Sequence, residues 1–439
     1  MTARAALPIE AGFAVRGRRY PIALPSIRDP RLHLAAVIVS LQILGQVAFD
    51  FDLSIAQILM SIGTCALLEI SIVARRHHVL AWPASALLTG NGVAFVLRVP
   101  GTEHGDWWSM QGWWIFAGTA AVSLLSKYVI RYRASHVFNP SNFGLVLCFL
   151  LLGPGRVEPL DFWWGPMSPA LALALGIIVV GAVAILSRLS LLPLAISFWA
   201  VFVGLVAVVA ATGHAITTRW HYGPVEGLHL WTVLAFSPEI LVFLFFMLTD
   251  PKTVPAASRQ RILFGVTVAL VSVLLVASSS TEFWAKVGVL GALTIVCAVR
   301  PIAAVASSIR PRRIVLAALL AVVAAAYAAT LVTAGVVTRA AAVSGLGVAG
   351  RTSDPPSVVI RASQGVDATL DREVAVKIAA DLQSRRPAVR LRRVAIWLEA
   401  RTDQFPAVVA ILQWPTSRQT VEVVPTLDGY RIARVLEPR

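Results

Sequence analysis

The stretch Lys127–Gly144, K-Y-V-I-R-Y-R-A-S-H-V-F-N-P-S-N-F-G, decides how this chain is read. It joins two strongly apolar segments and sets Lys127, Arg131 and Arg133 ahead of Asn139-Pro140 and Asn142. Pro140 disfavours helical backbone at Asn139. It is itself suited to the first turn of a helix, where its missing N–H costs nothing. A helix therefore starts at about Pro140, with Ser141 and Asn142 in its first turn. At membrane depth such a start offers free N–H groups and a positive dipole end to polar or anionic ligand groups. An ordinary loop-to-helix cap has the same local spacing, so both readings stand at this point.

Working outward, the chain has 439 residues, of which 57% are hydrophobic and 14% charged, with a mean hydropathy of +0.75. That composition is of a polytopic membrane protein followed by a more polar region. Apolar segments recur at 34–50, 53–74, 81–99, 112–130, 140–153, 168–187, 191–212, 231–249, 260–279, 284–299 and 314–336. The third contains Pro83, Gly90, Asn91 and Gly92, and the fifth is short. Both are shorter or more broken than the roughly 20 residues of a full span and read as half-helices meeting inside the bilayer. The first thirty residues carry arginines but no apolar signal core, so the first segment is expected to stay as an anchor.

The net charge of +15 would suit nucleic acid until it is mapped. With the N-terminus inside, one set of loops holds 19 Lys/Arg and the other 4 (Arg98, Arg156, Arg219, Lys286). This asymmetry places the N-terminus in the cytoplasm and, with an odd number of spans, the C-terminus outside. Trp107, Trp108, Trp113 and Trp114 flank one outer loop and Trp163 and Trp164 lie in the next, where an interfacial belt is expected.

The expected organisation is a basic segment at 1–33, a transmembrane domain at 34–336, a linker at 337–356 and an exoplasmic α+β domain at 357–439. Gly345-x-Gly347-x-x-Gly350 in the linker follows a membrane helix rather than a strand, so it is not a dinucleotide site. In the last region Val374, Ile378 and Leu382 mark a helix from about Thr369. Val394, Ile396 and Leu398 alternate as a strand, Ala407–Trp414 and Thr420–Val424 read as strands, and Leu427–Tyr430 signals a hairpin. The fold class is an all-α polytopic membrane protein of about 10–11 helices with this small domain attached.

Cys65, Cys148 and Cys297 sit in apolar segments, with no Cys/His cluster, which argues against disulfides and protein-bound metal. The acids expected in the hydrocarbon are Glu69 and Glu239, and an intramembrane carboxylate is costly enough to be a functional candidate. Glu69 stands near Arg75 and Arg76 as pairing partners; Glu239 follows Pro238 and reads equally as a helix cap. Phe138-Asn139-Pro140 starts one segment, and Ser237-Pro238-Glu239 interrupts another of opposite direction. Opposed, proline-broken segments point to an inverted-repeat core with a midplane site.

Ser126-Lys127 at a helix end, Phe138-Asn139-Pro140-Ser141-Asn142-Phe143-Gly144, and Phe246 through Thr249-Asp250-Pro251-Lys252-Thr253-Val254-Pro255 together resemble the NqrB/RnfD family. Those are membrane subunits of sodium-pumping NADH:quinone reductase and of the Rnf electron-transport complex. The resemblance covers roughly residues 30–335 and is nearest to the RnfD-like membrane proteins of enediyne biosynthetic clusters. It implies an inverted-repeat bundle similar to urea transporters, a bound flavin (FMN or riboflavin), and partner redox or biosynthetic subunits. It carries a cofactor-binding role to Lys127, Asn139, Pro140, Ser141, Asn142, Gly144, Thr249, Asp250 and Thr253. One departure is plain: the Ser-Gly-Ala-Thr motif that receives covalent FMN is absent. The comparable outer loop, Thr212–Arg219, offers only Thr217 and Thr218, so flavin is expected to be held non-covalently. The implied function is a flavin- or quinone-associated electron-transfer subunit. A transporter or export protein on the same scaffold, or a membrane anchor for the outer domain, are the other readings.

Overall fold

The computed structural model describes residues 12–308 apart from 16–17, 28, 103, 134, 166 and 219–223, together with strands at 357–362, 393–400, 406–413, 418–426 and 429–436. The helices in chain order are α1 (Pro30–Ala48), α2 (Ile55–His77), α3 (Ala84–Val96), α4 (Trp113–Val129), α5 (Pro140–Leu152), α6 (Pro169–Leu189), α7 (Leu192–Ala211), α8 (Gly227–Phe236), α9 (Pro238–Val242), α10 (Ser258–Ala277) and α11 (Glu282–Ser308). Helix α9 runs straight into a π-helical turn at Phe243–Met247. Seven segments are long and apolar enough to cross a membrane, with α8, α9 and the π turn forming one of them. The protein is therefore a mostly helical, multi-pass membrane protein.

The helix starts follow from local chemistry. Asp29 caps α1 by accepting from Arg31 N, with Pro30 at the first helical position. Ser54 and Gln57 form a reciprocal capping box on α2, and Ser168 caps α6 ahead of Pro169. The last turn of α2 carries Arg75, Arg76 and His77, cations that suit a helix C-terminus.

Helices α3 and α5 have 13 residues each, about 20 Å of rise against a hydrocarbon core of about 30 Å. They are apolar helices too short to span, in the two places where the sequence has short or broken segments. The segment expected at 231–249 is cut at Ser237, where Pro238 restarts the helix and Ser237 accepts from Ile240 N. Helix α1 packs on α3 and α6, α2 on α3 and α4, and α4 on α5. Helix α6 packs on α9, α7 on α8 and α10, and α10 on α11, while α5 meets α11. One continuous apolar core runs through both groups.

Short strand pairs tie the helix ends. β1 (Gly12–Val15) and β2 (Arg18–Ala23) form a hairpin whose second strand lies parallel to β3 (Leu80–Ala81). After α3 the chain stays extended as β4 (Leu97–Arg98), which pairs with β7 (Glu158–Pro159) after α5. β5 (Arg131–Tyr132) pairs with β6 (Ser135–His136), and β8 (Ala215–Thr217) with β9 (Pro224–Glu226). The C-terminal strands β10 (Ser357–Ala362), β11 (Arg393–Ala400), β12 (Pro406–Gln413), β13 (Arg418–Thr426) and β14 (Gly429–Leu436) form a sheet in that order, parallel for the first pair and antiparallel after it. Strand β10 was missed in the sequence. Thr426 pairs with Gly429, which closes the hairpin expected at Leu427–Tyr430. The apolar stretch 314–336, the linker 337–356 and the helix expected from Thr369 lie outside the described residues.

Two expectations are corrected. Trp164 is not an interfacial residue: it is 2% exposed and packs against Phe49, Phe51 and Phe95 with ring centroids 5.1–6.1 Å away. Its ring contacts place it inside the bundle, with an indole N–H that has no hydrogen-bond partner. Trp107, Trp108, Trp113 and Trp114 are exposed, as an interfacial belt requires. Arg98 and Lys286, counted as loop charges, are both buried, at 6% and 3% exposure. Removing them from the loop tally sharpens the charge asymmetry rather than weakening it.

Candidate functional site: a motif clamp beside a buried charge centre

The two motifs that carry the family resemblance lie more than a hundred positions apart in sequence and dock on one another. Asn139 accepts from Asn142 N (3.1 Å) and so caps α5, while its Nδ2 donates to the Met247 carbonyl at the end of the π turn (3.2 Å). Asn142 Nδ2 donates to the Leu290 carbonyl (2.9 Å) and to Thr294 Oγ1 (3.0 Å) on α11. His136 Nε2 lies 3.1 Å from Asp250 Oδ2, and Ser135 Oγ donates to the Lys252 carbonyl (3.2 Å). Thr249 Oγ1 donates to the Phe245 carbonyl, and Thr253 Oγ1 to the Asp250 carbonyl (3.1 Å). Asp250 also accepts from Lys252 N (3.0 Å).

The residues named from sequence are thus brought together, but as a clamp between chain segments. Ser141 Oγ donates to Asn139 Oδ1 (2.9 Å). Gly144 is where α5 and α4 touch: a Cβ there would stand 1.8 Å from Ser123 Oγ and 3.0 Å from Ser123 Cα. Asn142 Oδ1 is the clamp atom left without a hydrogen bond. As arranged, the set locks helices to one another. Lys127 stands apart from the clamp. Its ammonium donates to Glu69 Oε1 (2.9 Å) and Ser85 Oγ (3.2 Å), joining α4 to α2 and α3. Glu69 also accepts from Tyr128 Oη (2.5 Å). The partner of Glu69 is therefore across the bundle on α4, not Arg75 or Arg76 on its own helix. Thr217 Oγ1 donates to the Ser280 carbonyl (3.3 Å) and Thr218 is 6% exposed.

Behind the clamp lies a second feature, only half legible in sequence. Glu239 Oε2 of α9 sits 3.3 Å from Lys286 Nζ of α11, with both side chains no more than 4% exposed. The approach misses hydrogen-bond geometry, so Lys286 Nζ and Glu239 Oε1 both lack a hydrogen-bond partner. Arg98, where β4 leaves α3, donates from Nη1 to the carbonyls of Ala94, Phe95 and Leu97 (2.9–3.2 Å) and leaves Nη2 without a partner. Glu282 Oε1, at the start of α11, accepts from Phe162 N (2.5 Å). The charges of Glu282 and Asp161 act on Lys286, and those of Asp52 and Asp161 on Arg98. Asp161 lies in the loop after β7; burial, and then the Glu282 carboxylate, hold its pKa well above the usual range. A small cavity of about 10 Å³, the room of about one water, is lined by Glu239, Lys286, Phe162 and apolar side chains.

Sequence reasoning found Glu239 but missed Arg98, Asp161, Glu282 and Lys286. For Lys286 the signal was present: a lysine inside the apolar segment 284–299, taken for a loop charge because it stands near the segment's end. No family model matches the chain, and no curated protein matches it either.

Proposed function

We propose that this protein is an RnfD-like membrane subunit of an electron-transport assembly, serving oxidoreductive chemistry such as that of a biosynthetic pathway of the enediyne type. The observation that carries the reading is the clamp. The two motifs behind the family resemblance form one spatial unit, joined by the Asn139–Met247 and His136–Asp250 contacts, and Asn142 ties the first of them to Leu290 of α11. Motifs that were only adjacent by chance would have no reason to dock. The packing pattern supports the same reading. Partners in the first group (α2 with α3 and α4, α4 with α5) recur five or six helices later (α7 with α8 and α10, α10 with α11), the broken segment α8–α9 counting as two, as an inverted repeat would give. In this role the clamp fixes the two halves, and a flavin or quinone is held against them non-covalently, since the chain has no Ser-Gly-Ala-Thr. The N-terminus is cytoplasmic, and the C-terminal strands belong to an exoplasmic α+β domain that meets partner subunits. The test is the absorption spectrum of the detergent-purified protein, followed by denaturing gel fluorescence. Flavin bands that vanish from the denatured band are expected; no visible chromophore in protein purified with its partners would overturn the reading.

A second reading, a transporter on the same scaffold, is favoured by one observation: a buried ion pair facing a water-sized cavity. Solute flux in vesicles made from the purified chain alone, without a chromophore, would select it.

A further inference from the structure

We propose that Glu239 is a proton-binding site, loaded from the Asp161–Glu282 end, with Lys286 as its counter-charge and one water between them. The proposal stands whether the chain carries electrons or solutes. Glu239 Oε1 is an acceptor and Lys286 Nζ a donor, both buried and both without a hydrogen bond. Both line a cavity of about 10 Å³, which is about the space one water needs. A water there accepts from Lys286 and donates to Glu239, satisfying both.

The charge balance points the same way. Glu239 of α9 and Lys286 of α11 line this cavity; the charges of Glu282 of α11, Asp161 of the loop after β7 and Arg98 of β4 reach that pair, and Asp52 between α1 and α2 acts on Arg98 and Asp161. Four acids face two cations, so the centre has an appetite for protons. A hydronium on the Asp161 side breaks one O–H bond, leaving water, as an O–H bond forms at the Asp161 carboxylate. Through the cavity water it passes to Glu239: the O–H bond at Asp161 breaks as one forms at Glu239, and Lys286 stays an ammonium. Phe162, next to Asp161 in the chain and held by Glu282, is the lining residue on the entry side; the remaining lining side chains besides Glu239 and Lys286 are apolar, so the proton leaves by the way it came.

Loading Glu239 removes the attraction that holds α9 to α11. Met247 and Leu290 also line the cavity, and their carbonyls are the ones gripped by Asn139 and Asn142. The proton is therefore felt at the clamp.

The test uses the full chain in detergent and infrared difference spectra between acidic and neutral buffer. A protonated-carboxyl band is expected whose main component is lost in Glu239→Gln. In Asp161→Asn the same component should persist but appear more slowly after a pH jump. If Glu239→Gln does not fold, Glu239→Asp keeps the chemistry and must shift the band. A band unchanged in either Glu239 variant, or its absence from the native chain, overturns the site. Equal speed in Asp161→Asn overturns the entry route. The same spectral change produced by sodium at fixed pH would make this a cation site instead.

Discussion

At the scale of single residues, Gly144 and His214 make the sharpest demands. Gly144 lets α5 touch α4, and its missing Cβ would fall 3.0 Å from the Ser123 Cα, which no rotamer change can relieve. Gly144→Ala should therefore cost about 1–3 kcal/mol through overpacking. Thermal unfolding in detergent, followed by size-exclusion, should show the loss, and a native melting temperature would refute the close approach. His214 lies between α7 and β8, where burial lowers its pKa from the usual 6.5 against the opposing backbone of Val276 and Ser279. The unfolded chain then takes up the proton at higher pH than the folded one, so the stability it contributes is full above about pH 6.5 and is lost as pH falls. Melting temperature should drop on acidification from about pH 7 to about pH 5, and the drop should shrink in His214→Gln.

At the scale of elements, the contact between α9 and α11 rests on opposite charges in an apolar setting. Removing one partner leaves the other uncompensated, so Lys286→Met should destabilise by about 3–5 kcal/mol. Replacing both, as Glu239→Gln with Lys286→Met, should recover most of that, because no buried charge is left alone at the pair. A double variant no better than Lys286→Met, measured by the same melting assay, would show that the pair is not what joins the two elements. The π turn after α9 belongs to the same region. Its extra residue per turn presents the Met247 carbonyl to Asn139, and such turns recur at functional sites.

For the whole molecule, the expected arrangement has the N-terminus in the cytoplasm and Arg439 on the opposite side. With Arg98 and Lys286 buried in the bundle, Arg156 and Arg219 are the two of the original four still counted from sequence as outer-loop cations. A C-terminal alkaline phosphatase fusion should be active and a C-terminal green fluorescent protein dark; the reverse result would invert the arrangement. Positive-inside asymmetry acts during insertion, so it is written in sequence and survives whatever the bundle does later.

Much of the molecule was legible in the chain for that kind of reason. Hydropathy fixes where the chain can lie in lipid, prolines fix where helices begin, and side-chain oxygens at Asp29, Ser54, Asn139, Ser168 and Ser237 fix their caps; all of these are local. The half-length of α3 and α5 and the break at Ser237 followed from the same rules. What was not legible depends on distance. That Lys127 reaches Glu69, that Trp164 enters a ring cluster, and that Asn139 and Asn142 grip Met247 and Leu290 are consequences of helices packing side by side. Arg98, Asp161 and the pair Glu282 and Lys286 come from three separate places in the chain, and each alone looks like a loop charge. Only the tertiary structure, through the pairing of β4 with β7 and the hold of Glu282 on Phe162, brings their charges within reach of one another, where low polarity makes each matter to the others.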